Sequence, residues 1–198
     1  MCNNWPDFPI NVDKSTGGLI GNTVIICGAL FGLYSSGCYT LTSEKTTFVT
    51  NVSSSAASIV LNDNTLWVMS SSSELVTLSG IKPGPDLPMD ISQHAIVAIN
   101  NSCSMFICGG ICYPYFYNHN ENEWIQGPTL IKARRHHAAG IVNDEVTNEQ
   151  FVAVTGGSDY FVDSFDSTEI LQDGEWVQGK INDTICHLLK TCWLHSTQ

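Results

Sequence analysis

The stretch "TGGSDYFVDSFDSTEILQDGEWVQG", residues 155–179, sets a glycine pair, a loop, a short β-prone run, a two-residue turn and a tryptophan in quick succession. Upstream, "CGGICYPYFYNHNENEWIQG" keeps the same order: Gly109-Gly110, Tyr117 and Trp124 stand where Gly156-Gly157, Thr168-Glu169 and Trp176 stand. A pattern that returns every 40 to 50 residues or so marks a solenoid, an array or a propeller. Weaker copies precede these two. The triplets Cys27-Gly28-Ala29, Met69-Ser70-Ser71, Cys108-Gly109-Gly110 and Thr155-Gly156-Gly157 are spaced by 42, 39 and 47 residues. Ser55-Ala56-Ala57, His94-Ala95-Ile96 and His137-Ala138-Ala139 each begin an apolar run, with Gly18-Leu19-Ile20 a poor match in the first copy. A third marker ends each copy, where Gly84-Pro85-Asp86-Leu87-Pro88 resembles Gly127-Pro128-Thr129-Leu130 and also Pro6-Asp7-Phe8-Pro9.

Within the last copy, "HAAGIV" (137–142) and the β-branched "FVAVTGG" (151–157) predict two strands around the polar loop "NDEVTNEQ". "TEIL" (168–171) and "EWVQG" predict two more, joined by a hairpin turn at Asp173-Gly174. Four short antiparallel strands repeated at this period, without helical periodicity, fit a β-propeller whose sheets pack face to face. The paired glycines would turn the backbone at positive φ and let neighbouring sheets approach without a Cβ. Trp124 and Trp176 would fill the wedge that widens between sheets, with Phe48 and Ile81 near that place in the first two copies.

Composition bounds the remaining choices. A chain of 198 residues, 43% hydrophobic and 14% charged, is globular and long enough for a substantial core. The net charge of −11 disfavours nucleic acid and anionic membrane as partners. No apolar run is long enough for a transmembrane helix, and "MCNNWPDFP" has neither the basic nor the apolar part of a signal peptide. Eight cysteines and acceptor triplets at Asn51, Asn100 and Asn182 point to an oxidising, glycosylating compartment, whereas buried free cysteines and chance triplets fit an intracellular one. Both compartments stay open.

The double glycine, the aromatic that follows and the strand-borne tryptophan are similar to those of the kelch repeat. The resemblance covers residues from about 15 to 180, and Ser70-Ser71 replaces the double glycine in the second copy. It implies a kelch-type β-propeller of four-stranded antiparallel blades, a family in which most members bind other proteins through loops on one face. The expectation is a non-catalytic module that holds a partner protein without a cofactor, inside the cell or as a secreted or cell-surface glycoprotein, with a galactose-oxidase-like copper enzyme the lesser alternative. Residues 1–14 then read as the end of a preceding blade or an N-terminal segment, 15–52 and 53–87 as degenerate blades, and 88–130 and 131–180 as well-formed ones. Residues 181–198 read as a tail, in which Ile185, Leu188, Leu189 and Cys192 have the spacing of a short amphipathic helix. Gly28, Gly109, Gly110, Trp124, His137, Gly156, Gly157, Glu169 and Trp176 are the structural repeat positions. A ring of this kind closes with about six blades. Four are visible, so the end blades are expected to expose apolar faces and copies of the chain to associate through them.

Other chemistry fits poorly. Cys186, His187, Cys192 and His195 lack zinc-finger spacing, so no metal is expected there. Galactose oxidase, a copper enzyme on a kelch-type propeller, gathers tyrosine and histidine ligands at the axis; Tyr39, Tyr117, His94 and His137 form no recognisable set of that sort. "SFDSTEIL" does not match the sialidase turn, and no serine and histidine form a nucleophile–base signature. Cys103 and Cys112 lie at opposite ends of one strand, too far apart to bond, whereas Cys27 and Cys38 flank a loop and can meet across adjacent strands as a disulfide.

In a four-stranded meander, the loop between the second and third strands emerges on the same face as the connection to the next sheet. This brings together "ALFGLYSSG" (29–37), "ICYPY" (111–115), "SDYFVDSFDS" (158–167) and the connection within "KARRHHAAG" (132–140). Phe31, Tyr34, Tyr113, Tyr115, Arg134, Arg135, Tyr160 and Phe161 are the expected partner-binding residues, since aromatic rings and arginine dominate interface energetics.

Overall fold

The computed structural model describes residues 12–30, 36–42, 46–51, 57–61, 64–89, 91, 93–99, 104–109, 111–144, 147–159 and 164–179. These form an all-β protein of four antiparallel four-stranded sheets, each a meander in chain order. Sheet 1 is β1 (Val12–Ile20), β2 (Thr23–Leu30), β3 (Ser36–Leu41) and β4 (Thr46–Asn51). Sheet 2 is β5 (Ala57–Val60), β6 (Leu66–Met69), β7 (Ser73–Thr77) and β8 (Gly80–Pro83). Sheet 3 is β9 (Ala95–Ala98), β10 (Ser104–Gly109), β11 (Ile111–Asn118) and β12 (Glu123–Gln126). Sheet 4 is β13 (Ala138–Asn143), β14 (Gln150–Thr155), β15 (Thr168–Gln172) and β16 (Glu175–Gly179). The β15–β16 hairpin turns through Asp173 and Gly174, both at positive φ as a tight primed turn requires.

The sheets stack in sequence through their first strands: β1 packs on β5, β5 on β9 and β9 on β13. No comparable contact joins β13 back to β1 among the described residues. The arrangement is compatible with a propeller-like fold. Three apolar seams hold it together. Ile20, Ile25, Cys27 and Cys38 meet Leu66, Val68 and Val76 between sheets 1 and 2. Trp67 and Met69 meet Tyr117 and Trp124 between sheets 2 and 3, and Val97 and Leu130 meet Val152, Val154 and Trp176 between sheets 3 and 4.

Strand register shows which positions are equivalent. Met69, Cys108 and Thr155 pair with Ala57, Ala95 and Ala138. In sheet 2 it is thus Ala57 that opens the first strand, as Ala95 and Ala138 do. Tyr115, not Tyr117, occupies the place of Glu169, because Tyr115 pairs with Gln126 as Glu169 pairs with Gln178. Glu74, opposite Pro83, is the sheet 2 counterpart.

The glycines behave differently from the sequence expectation. Positive φ occurs at Gly156 and Gly157 but not at Gly109, which stays in β10 opposite Ile111; Gly110 lies outside the described residues. "ICYPY" is strand rather than loop: the register between β10 and β11 shifts between Ile107 and Gly109, and this bulge accommodates Pro114, which has no N–H for the ladder. The tryptophan wedge also differs between halves. Ile81 pairs with Val76 as Trp176 pairs with Leu171, yet it is 41% exposed against 7% for Trp176. Phe48 does not fill a wedge at all; it stacks edge-on against Tyr39, 51% exposed. Strand β1 begins at Val12, ahead of the boundary expected at residue 15. The expected preceding-blade end and the helical tail lie outside the described residues.

Candidate functional site

The connection from β12 to β13 and the loop from β14 to β15 form one assembly. Arg135 and Ser158 exchange main-chain hydrogen bonds of 2.9 and 3.0 Å, and Phe165 N–H donates to the Gly157 carbonyl at 2.8 Å. Gly157 must be glycine: a Cβ would lie 2.6 Å from the Arg135 carbonyl, at a φ of +85°. Outgoing connections touch the same face: in sheet 2 Gly84 N–H, just after β8, donates to the Ser73 carbonyl, and in sheet 3 Gly127 N–H donates to the Pro114 carbonyl. In sheet 2, Ser71, Ser72 and Ser73 of the β6–β7 turn face Pro83, Gly84, Asp86, Leu87 and Met89 across an open cleft of about 620 Å³. Second-to-third-strand loops and sheet-to-sheet connections therefore share a face.

A buried ion pair fixes this face at sheet 4. Arg134 is 2% exposed, and its Nη2 lies 2.5 Å from Glu169 Oε1. Arg134 Nη1 also donates to the Gly156 and Ser167 carbonyls at 2.8 and 3.0 Å. Glu169 accepts the main-chain N–H groups of Ile131 and Lys132 at 2.7 and 3.0 Å. One carboxylate thus anchors the connection while one guanidinium clamps both ends of the neighbouring loop. Arg134, expected at the partner surface, is committed to the interior instead. Removing it would strand a buried carboxylate, an effect that costs about 3–5 kcal/mol.

Arg135 is half-buried, with Nε donating to the Asp159 carbonyl at 3.2 Å. What the face presents to solvent is Ile131 at 57% exposure, Lys132 and His136 on the connection, and Tyr113 at 43% exposure near the β10–β11 turn. Lys132 Nζ sits 5.1 Å from the Phe165 ring centre, on the ring that Arg134 approaches at 5.3 Å. Tyr115 is half-buried on β11. Phe31, Tyr34, Tyr160 and Phe161 lie outside the described residues, as do Asn100, Asn182, Cys103 and the cysteines and histidines of the tail. Lys132, Ile131 and the serine-lined cleft were not singled out as sites by sequence, although the run Ser70–Ser73 beside "GPDLPM" is their visible trace.

His94 and His137 are both buried and immediately precede the first strands of sheets 3 and 4. Each follows a residue in the left-handed region, Gln93 and His136, and His136 N–H donates to the Gln93 carbonyl. Burial pushes the His94 imidazole down to about 4, an effect lessened by the nearby Met69 carbonyl. It is neutral at physiological pH. Tyr39 stacks on Phe48 in sheet 1 and Tyr117 packs against Trp67 and Trp124, so these two tyrosines serve separate packing sites. No group of three His, Cys, Asp or Glu residues suited to a metal occurs among the described residues, and no helix there is long and apolar enough to cross a membrane. Cys27 and Cys38 stand directly opposite on β2 and β3 and are joined as a disulfide. Asn51 is exposed at the end of β4.

No protein-family model matches the chain, and no curated protein matches it either.

Proposed function

We propose that this protein is a non-catalytic interaction module, a kelch-type β-propeller that holds a partner protein on the face shared by its interstrand loops and sheet connections. One observation carries the reading: the reciprocal Arg135–Ser158 hydrogen bonds, backed by the Arg134–Glu169 pair, make a rigid platform from loop backbone. Rigid loops that display apolar and cationic side chains such as Ile131, Lys132 and Tyr113 suit protein recognition. The acidic chain as a whole argues against nucleic acid. The test is affinity for a partner isolated on the immobilised chain and then purified. Tyr113→Ala and Lys132→Glu should each weaken it by about 1–2 kcal/mol without changing the melting temperature. Glu149→Ala and Asp173→Ala, on the opposite loops, should leave it unchanged; the reverse pattern would place recognition on the other face.

The Cys27–Cys38 disulfide and the exposed Asn51 favour a second reading, in which the same module works as a secreted or cell-surface glycoprotein. Intact mass before and after reduction and glycosidase treatment tests it. A mass unchanged by either treatment would reject it.

A further inference from the structure

Gly18 and Gly140 are equivalent positions. Gly18 on β1 pairs with Ile25, two residues before Cys27, and Gly140 on β13 pairs with Ala153, two residues before Thr155. Their surroundings differ. A Cβ on Gly18 would strike Val60 Cγ2 at 2.3 Å and Leu66 Cδ1 at 2.9 Å, because sheet 2 inserts those two side chains into the notch that the glycine leaves. At Gly140 nothing among the described residues lies within 4 Å of the same point. The notch on the far side of sheet 4 has the same form, and no described residue fills it.

The complementary knob is also present. Val60 pairs with Leu66 on the face that sheet 2 turns toward sheet 1, and the residues in their register places on sheet 1 are Leu19 and Val24, which pair with each other. Leu19 is 57% exposed. Around it, Ile26 pairs with Tyr39 and Tyr39 with Phe48, so the open face of sheet 1 carries an apolar row. The open face of sheet 4 offers its counterpart: Gly140, Ala153, Ile170 and Val177 pair across the sheet, with Val177 40% exposed.

We propose that sheet 4 of one molecule receives sheet 1 of a second copy of this chain, Leu19 and Val24 entering the Gly140 notch as Val60 and Leu66 enter the notch at Gly18. The contact is head-to-tail and continues the internal stacking rule across the molecular boundary. The smallest closed assembly is two copies forming a ring of eight sheets, within the range of four to eight or so known for propellers. The inference rests on the repeated sheets and is independent of the loop-face reading.

Sedimentation equilibrium of the full chain tests it. The wild type should be a dimer. Leu19→Asp places a charge on an exposed position, and Gly140→Leu fills open space at an unstrained backbone, so both variants should stay folded with the circular dichroism spectrum of the wild type, melting lower only by the stabilisation that association itself supplies. Each should weaken dimerisation about tenfold or more. Mixed together they should associate again, because the Leu19→Asp chain keeps an intact notch and the Gly140→Leu chain an intact knob. A monomeric wild type overturns the proposal. So does a dimer broken by Leu19→Asp and indifferent to Gly140→Leu, which would mean sheet 1 meets sheet 1. Retained partner binding by a monomer would leave the proposed function standing while this inference fell.

Discussion

Sheets 1 and 2 and sheets 3 and 4 solve the same packing problem with different chemistry. In the later pair, a tryptophan on the fourth strand reaches back to the preceding sheet and donates its indole N–H to a main-chain carbonyl. Trp176 bonds Pro128 at 2.9 Å, and Trp124 bonds Asp86 at 2.7 Å. In the earlier pair the equivalent residue is Ile81, largely uncovered, and the seam relies on small aliphatic side chains with the Cys27–Cys38 cross-link beneath them. Sheet 2 does possess a buried indole, but Trp67 sits on its second strand, bonds Ser73 Oγ at 2.9 Å and serves the next seam. A repeat can therefore lose its most visible residue and keep its architecture, provided something else closes the gap.

The sharpest way to break the comparison is to truncate the two equivalent side chains. Trp176→Ala should cost about 3–5 kcal/mol, since it empties a large site and leaves the Pro128 carbonyl without its donor. Ile81→Ala at the same register position should cost less than about 1 kcal/mol. Chemical denaturation of both variants checks this, and equal losses would erase the distinction between the halves.

That contrast also marks how far sequence could be read. The sixteen strands follow alternation and turn chemistry, and the strongly patterned "HAAGIV…EWVQG" region matches β13 to β16 within a residue or two. The site was less legible. Arg134 in a basic loop looks like a surface group until the Glu169 carboxylate, 35 residues later, is folded against it. A long-range pair of this kind leaves no local periodicity. Its place between the second and third strands puts "ICYPY" in a loop, and only the pairing with β10 reveals a strand whose bulge tolerates Pro114. Ile81 and Phe48 were assigned from spacing alone, which cannot tell a covered face from an open one.

Acid should probe the boundary between the halves through His94, at the start of sheet 3. Its folded-state value is held down to about 4 from 6.5, chiefly by burial. The unfolded chain takes up the proton first, so stability should fall as pH drops from about 6.5 toward 4, by about 2–3 kcal/mol near pH 4.5. Glu74, whose carboxyl burial pushes upward, works in the opposite sense over the carboxylate range. Comparing wild type with His94→Phe isolates the histidine: the variant should lose that much less on acidification. Identical pH profiles would mean that His94 titrates normally in the folded state.

An effect of comparable size belongs to the cross-link of the earlier half. The Cys27–Cys38 bridge spans a sequence separation of 11, for which loop closure predicts about 2–3 kcal/mol lost on reduction. Denaturation with and without reductant measures it, using a Cys27→Ala, Cys38→Ala double variant as reference. A reduced protein as stable as the oxidised one would show that the aliphatic seam suffices alone.

Because the main packing among the described residues joins each sheet to its chain neighbours, one molecule behaves like a series circuit with three junctions. In a closed loop, opening one junction leaves every part connected the other way round; in a series it separates the parts. Trp67, Tyr117 and Trp124 occupy the middle junction, with ring centres 4.8 to 5.8 Å apart. Damage there does more than weaken a seam: it divides the protein into two sheet pairs tethered by the chain between Pro83 and Ala95. Damage at either outer junction releases a single sheet and leaves three stacked. The same loss of contact thus has unequal consequences according to its place in the sequence of sheets, and the aromatic cluster stands where the consequence is greatest.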